Sequence, residues 1–189
     1  METPLHGFLK ARLKLPEESI NDIVSNFKLM KPKRNEILEK AGKICNRFYF
    51  VNKGCLRVYG FDKKGNEITA YFALEDSFVS LATSFLTLKP ALDYLIALEP
   101  SEVMVISRER YFGLTNKYAE FDKLNNLIIQ AGFIHAQMRI YGFLGMEGID
   151  KLKWVMEHEP KLLTRIASKQ VAAYLGMTNS TLSKLKTKF

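Results

Sequence analysis

Between Ser168 and Lys186 the chain reads SKQVAAYLGMTNSTLSKLK, and Val171, Ala172, Leu175, Leu182 and Leu185 recur at helical spacing on either side of Gly176. An apolar periodic run, a glycine break and a second run opening at Thr178 are what two short packed helices require. Ala172 is small where the helices must approach, and Gly176 can take the positive φ of a tight turn. Met177 follows it and can pack beneath the turn, and Thr178 is suited to cap the second helix. The second helix leaves Asn179, Ser180, Ser183, Lys184 and Thr187 outward, short polar groups and cations with no carboxylate to repel phosphate. Such side chains suit a helix entering a DNA major groove, where asparagine pairs with adenine and lysine with guanine O6 and N7. Asn179, Ser180 and Lys184 are the expected base readers, with Thr178, Thr181 and Ser183 beside them. Ser168, Lys169, Gln170, Lys186 and Lys188 are the expected phosphate contacts. The bland alternative is a polar helical hairpin with a solvated basic face.

Charge favours the first reading. Residues 161–189 hold six Lys/Arg and no Asp or Glu, whereas the whole chain of 189 residues has 28 basic against 20 acidic residues. Residues 1–160 are therefore nearly neutral, with 22 basic against 20 acidic residues, and the positive field is localised at the C-terminal end. A localised positive field is the footprint of nucleic-acid binding. Two cysteines, Cys45 and Cys55, cannot supply four ligands to a structural zinc or an iron–sulfur cluster, and two reduced, half-buried thiols are expected. The N-terminus, METPLHGFLKARLKLPEE, has no signal-peptide core, and no stretch approaches the ~20 apolar residues of a membrane span. The expected location is cytoplasmic.

These residues need elements to carry them. Ile20, Ile23, Val24 and Phe27 share one face of a helix over 17–29, stopped by Lys31-Pro32. From there to Ile106 the grammar is that of strands: Arg47–Val51, Cys55–Phe61, Ile68–Phe72, Tyr94–Leu98 and Val103–Ile106. Gly54 punctuates the first pair, and a hairpin loop over 62–66 holds Gly65 at its left-handed position. Many short strands at this spacing imply an antiparallel sandwich or jelly roll. One or two helical turns over 108–114 precede a long helix from about Tyr118 to Met146. Along it Leu124, Ile128, Ala131, His135, Met138, Gly142 and Gly145 form one coiled-coil seam, and Leu127, Ala131, Ile134, Met138, Tyr141 and Gly145 form a second. Apolar residues on more than one face suggest that one side covers the β-roll and another pairs with a second copy. Asp150–Glu157 is a further amphipathic helix ended by Pro160, with Trp154 as the expected core anchor.

A β-roll, a long helix and a helix-turn-helix, in that order, resemble the cyclic-AMP receptor protein/FNR family of bacterial transcription regulators. The resemblance runs from about Ile20 to the end. It is carried by EILEKAGKICNRFYFVNKGCLRVYGFDKKGNEI (Glu36–Ile68), by ISRERYFGL (Ile106–Leu114) and by IASKQVAAYLGMTNSTLSKLK (Ile166–Lys186). The last is close to the Bacteroidetes-type form ASYLGITPETLSRIRKK. The resemblance implies an α+β chain: a β-roll (cyclic-nucleotide-binding-like) domain over 1–117, a dimerisation helix over 118–147 and a helix-turn-helix domain over 148–189. It further implies a homodimer on double-stranded DNA, with RNA polymerase among the candidate partners. Many relatives carry Pro, Glu and Arg at positions 179, 180 and 184, so a different preferred DNA sequence is expected.

The family's phosphate cassette, F-G-E-L…R-S, is not matched. Over Phe78–Leu98 (FVSLATSFLTLKPALDYLIAL), Ser80 and Leu81 stand at the Gly-Glu positions and Ala91 and Leu92 at Arg-Ser. A cyclic phosphate without its guanidinium would be an uncompensated buried charge, and Lys89 cannot reproduce the bidentate fork. Cyclic AMP is therefore not expected to bind there. Leu81, Phe85, Leu88, Leu92 and Leu95 are expected either to fill the pocket or to accept a small apolar effector. Residues 1–30 hold no cysteine for an FNR-type cluster. His135 is the candidate axial ligand for a haem sensor but reads better as a packed polar residue on a seam, so no cofactor is expected. An enzyme on a cupin-like roll would need strand histidines, yet His6, His135 and His158 lie outside the strands, and no hydrolase, P-loop or dinucleotide motif occurs. Two rivals stay open: a small-molecule or protein-interaction module with a degenerate DNA-binding tail, and a regulator needing no ligand.

Overall fold

The computed structural model describes residues 3–188, and the side chains of Tyr141 and Gly142, members of the two expected seams, lie outside that description. The chain forms two compact units. One comprises Met1–Gly60 with Tyr71–Ile129, and the other Phe61–Ala70 with Gln130–Phe189. Among the described residues no helix is long and apolar enough to cross a membrane.

The first unit opens with α1 (Pro4–Lys10), where the sequence reading placed no element, and α2 (Glu17–Ser25). The helix expected to reach residue 29 ends four residues earlier. Lys28–Met30 instead form β1, which pairs antiparallel with Val103–Val105 of β8 (Glu102–Ser107). Three residues are too few to show alternation, so this strand had no periodic signal. One sheet has the order β1, β8, β3 (Arg47–Lys53), β6 (Phe78–Val79). The other runs β2 (Ile37–Glu39), β7 (Tyr94–Ala97), β4 (Leu56–Phe61), β5 (Glu67–Ala73). The mixed α+β architecture with an antiparallel roll is thus the one expected.

Aromatic and aliphatic side chains of these strands bury Tyr49, Phe50, Leu56, Leu95 and Ile106 almost completely. A polar tie joins the two sheets. Arg47 Nε and the Tyr49 hydroxyl both donate to Glu39 Oε1, at 2.8 and 2.7 Å, and Arg47 Nη2 donates to the Leu38 carbonyl at 2.6 Å. Burial and the Glu39 carboxylate push the Tyr49 phenol far above its ordinary value, so it stays a donor. Cys45 and Cys55 are both buried thiols rather than half-buried ones.

The helices α4 (Arg108–Lys117) and α5 (Ala119–Gly145) follow. Tyr111, Leu114, Phe121 and Leu124 enter the core of the roll, and Ile128 packs against it. Leu124 and Ile128, the first members of the expected seam through His135, therefore face their own chain. Leu127, Ile134 and Met138 of the second seam are 61%, 56% and 47% exposed, and Ala131 is exposed too. Ile129, Phe133, Ile140 and Leu144 form a second exposed apolar row.

Asp22 on α2 fastens this region, accepting from Lys117 Nζ at 2.9 Å and from the Tyr118 hydroxyl at 2.8 Å. The Lys117 and Tyr118 hydrogen bonds hold its carboxyl below the usual value. A depressed folded-state value gives stability that is present above the ordinary carboxylate range and lost as pH falls through it. Asp22→Asn should therefore be less stable than the parent near neutrality, with the gap closing as pH falls below the ordinary carboxylate range. Urea unfolding across that range measures it, and a gap that does not change with pH would contradict the assignment.

Candidate nucleic-acid interface

In the second unit, α6 (Gly148–His158), α7 (Pro160–Arg165), α8 (Ser168–Leu175) and α9 (Asn179–Lys186) form a small bundle. Pro160 does not end α6 by interrupting it. It opens α7 at the first helical position, where the missing N–H costs nothing. The bundle core is Leu152, Val155, Leu162, Val171, Ala172, Leu175 and Leu182. Trp154 is only half-buried, stacking on His158 at 5.0 Å and meeting Phe143 edge-on at 6.1 Å, so the expected anchor is a rim residue.

The turn follows the sequence reading closely. Gly176 ends α8 with φ 66°, ψ 36°, and the Met177 N–H donates to the Ala172 carbonyl at 3.0 Å. Met177 and Leu185 both approach Gly148, where an added methyl would meet Leu185 at 3.1 Å. Thr178 Oγ1 accepts from the Thr181 N–H at 3.1 Å, satisfying one of the orphan donors of α9. The same hydroxyl lies 2.9 Å from Ser180 Oγ and 2.8 Å from Thr181 Oγ1.

Beyond this hydroxyl cluster, α9 exposes Asn179, Ser180, Thr181, Ser183 and Lys184, and Thr187 and Lys188 follow in solvent, while Lys186 is half-buried. Lys169 is exposed, whereas Ser168 and Gln170 are half-buried, and Thr69 Oγ1 sits 3.5 Å from the Gln170 carbonyl. The structure therefore gathers the expected base readers on one open helix and sets Lys169 at the start of the other. Sequence reasoning did not find Arg139, whose guanidinium donates to the carbonyls of Thr69 and Tyr174 at 3.2 and 3.1 Å and to that of Ala70. A lone arginine among apolar neighbours gives no periodic signal.

The cassette region of the first unit is tied together by hydrogen bonds within its own chain. After β6 comes α3 (Ala82–Thr87), followed by Leu88 at φ 56°. Ser80 Oγ donates to the Arg47 carbonyl at 2.8 Å, and Ser84 Oγ accepts from the Cys45 N–H at 2.9 Å while donating to the Lys89 carbonyl at 2.5 Å. Arg108 Nε donates to the Phe85 carbonyl at 2.7 Å, and Ala91 pairs through its backbone with Gly42 and Lys43. Leu81, Phe85, Ala91 and Leu95 are buried, with Phe85 among Phe48, Tyr111 and Phe112. Leu92 is 85% exposed and Leu88 47% exposed, so neither fills the pocket as expected. The left-handed turn at Leu88 carries both outward.

With this geometry in place, the family description "Cyclic nucleotide-binding domain" matches residues 30–118. FixK2 from Bradyrhizobium japonicum superposes with a TM-score of 0.74 at 14% identity, over 86% of this chain and 83% of its own. A CooA variant from Carboxydothermus hydrogenoformans gives 0.73 at 14% identity, over 100% and 85%. A protein from Eubacterium rectale assigned to the Crp/Fnr family of regulators gives 0.70 at 18% identity, over 96% and 85%. The chain has the CRP/FNR fold. No curated protein matches its sequence.

The cap is open to a direct check. Thr178→Ala should cost about 0.5–2 kcal/mol, read as a lowered midpoint in denaturant, and Thr178→Ser should restore most of it. Equal losses for both variants would show that the hydroxyl is not the stabilising group.

Proposed function

We propose that this chain is a sequence-specific DNA-binding transcription regulator that works as a homodimer in the cytoplasm, without answering to cyclic AMP through the usual phosphate cassette. The observation carrying the reading is the open face of α9, capped, cationic and free of carboxylates. In this reading residues 1–117 serve as the effector-type roll, 118–147 as the dimer helix and 148–189 as the DNA-binding domain. Asn179, Ser180 and Lys184 read base edges in the major groove, assisted by Thr181 and Ser183. Lys169, Lys186, Lys188 and the start of α8 (Ser168, Gln170) hold phosphates. RNA polymerase is the candidate protein partner. Neighbours of the same fold that include a Crp/Fnr-family regulator support this class over an enzyme.

The dimer is supported by the exposed seam through Leu127, Ala131, Ile134 and Met138, which a single chain leaves in water. Two copies joined there would set two α9 helices into successive major grooves, ~34 Å apart on a pseudo-palindromic site. Ile134→Glu with Met138→Glu should shift the protein from dimer to monomer in light scattering. Persistence of the dimer would move the interface elsewhere.

Insensitivity to cyclic AMP is supported by the cassette, where Leu81 and Ala91 are buried in place of the expected Glu and Arg and the chain's own groups occupy the backbone acceptors. Calorimetry with millimolar cyclic AMP should show no saturable heat, and tight binding would overturn this part. The buried leucines and Phe85 are compatible with a small apolar effector or with none.

Selection of bound duplexes from random sequence tests the whole reading. Lys184→Ala should cost about 1–3 kcal/mol and relax preference at one base, while Lys188→Ala should mainly lower the salt slope. Equal loss on specific and random DNA for Lys184→Ala would remove it as a base reader. A monomer with no duplex preference at ordinary ionic strength would remove the proposal.

A further inference from the structure

We propose that Arg139 is a positioning residue that sets the pose of the recognition helix against the long helix. The inference rests on the DNA-binding reading above. His135, Arg139 and Phe143 stand at i, i+4 and i+8 on α5, and all three meet Tyr174 near the end of α8. The Tyr174 hydroxyl lies 3.3 Å from His135 Nε2, and its ring sits 4.3 Å from the Arg139 guanidinium carbon and 6.2 Å from the Phe143 ring. Its carbonyl accepts from Arg139 Nη2 at 3.1 Å. Tyr174 is 1% exposed. One row of a helix therefore grips a single side chain of the helix that precedes the turn.

Arg139 is the centre of that row, and its remaining reach leaves α8. The same fork donates to the Thr69 and Ala70 carbonyls of β5, in the segment belonging to this unit. Three carbonyls from two other segments are thus collected by one planar group. The Tyr174 carbonyl is among the last of its helix, where intrahelical donors run out and a cation is favoured by the helix dipole. Burial lowers the Arg139 value from its usual range, yet arginine remains charged. His135 adds a second strut, its Nε2 lying 2.9 Å from Glu159 Oε1 at the junction of α6 and α7.

Because the Gly176 turn and the Thr178 cap fix α9 to α8, the angle between α8 and α5 becomes the angle at which α9 leaves the dimer seam. An ammonium is a point charge and cannot span separated carbonyls in one plane, so lysine is not a substitute here. Loss of the fork should leave α9 able to read bases but freer in direction. The property affected is tolerance of half-site spacing, because adding two base pairs rotates one half-site by about 70° and shifts it by about 7 Å.

The test measures binding to duplexes that carry the selected half-sites at a series of spacings, using the full chain and the variants Arg139→Ala, Arg139→Lys and Tyr174→Phe. The parent should favour its best spacing over one two base pairs away by about tenfold or more. Arg139→Ala and Arg139→Lys should reduce that ratio to about twofold while keeping the base preference within each half-site and the dimeric state. Tyr174→Phe, which removes only the hydroxyl, should give an intermediate ratio. Circular dichroism checks folding, and if Arg139→Ala unfolds, the lysine and phenylalanine variants decide the matter. A parent spacing optimum that the folded variants keep overturns this inference alone. A parent with no duplex preference overturns the DNA-binding reading, and this inference with it.

Discussion

A helix of 27 residues carries apolar side chains on several faces, more than its own chain covers, and much of the architecture follows from that constraint. Phe121, Leu124 and Ile128 turn to the roll and complete its core. Further along, His135, Arg139 and Phe143 turn to Tyr174 in the other unit. The remaining faces carry leucine, isoleucine, phenylalanine and methionine into solvent. The helix therefore contributes its first half to one unit and its second half to the other, and a stripe of apolar side chains stays exposed.

Local rules made the helix-turn-helix readable. A glycine at the left-handed turn, a threonine cap and a spaced run of leucines depend on near neighbours in sequence, and the structure places each where those rules require. The longer strands were legible for the same reason. The short elements were not: β1, β2 and β6 have three, three and two residues, too few to express a period, and they exist because longer partners pair with them. Trp154 shows another limit, since size suggested an anchor while Leu152 and Val155 hold the core. The seam was ambiguous because two rows of apolar residues shared the helix, and only the packing of Leu124 and Ile128 on the roll separates them.

The segment from β6 to β7 is fastened largely by hydrogen bonds to the chain's own backbone. The strand, the short helix and the return strand are all present, at β6, α3 and β7. What fastens them is internal: Ser80, Ser84 and Arg108 serve backbone carbonyls of this chain, and Phe85 lies in an aromatic cluster. Buried polar groups must find partners wherever they can. Here the chain itself supplies those partners, and Leu81 and Ala91 are buried.

Grouping Phe61–Ala70 with Gln130–Phe189 has a practical consequence for anyone wishing to handle the parts separately. The C-terminal bundle is discontinuous in the chain, so no single cut releases it intact. A fragment beginning at Gln130 would lack the segment whose carbonyls Arg139 engages, leaving those guanidinium N–H groups to water. Dissection of this molecule calls for a grafted loop or a circular permutant rather than truncation.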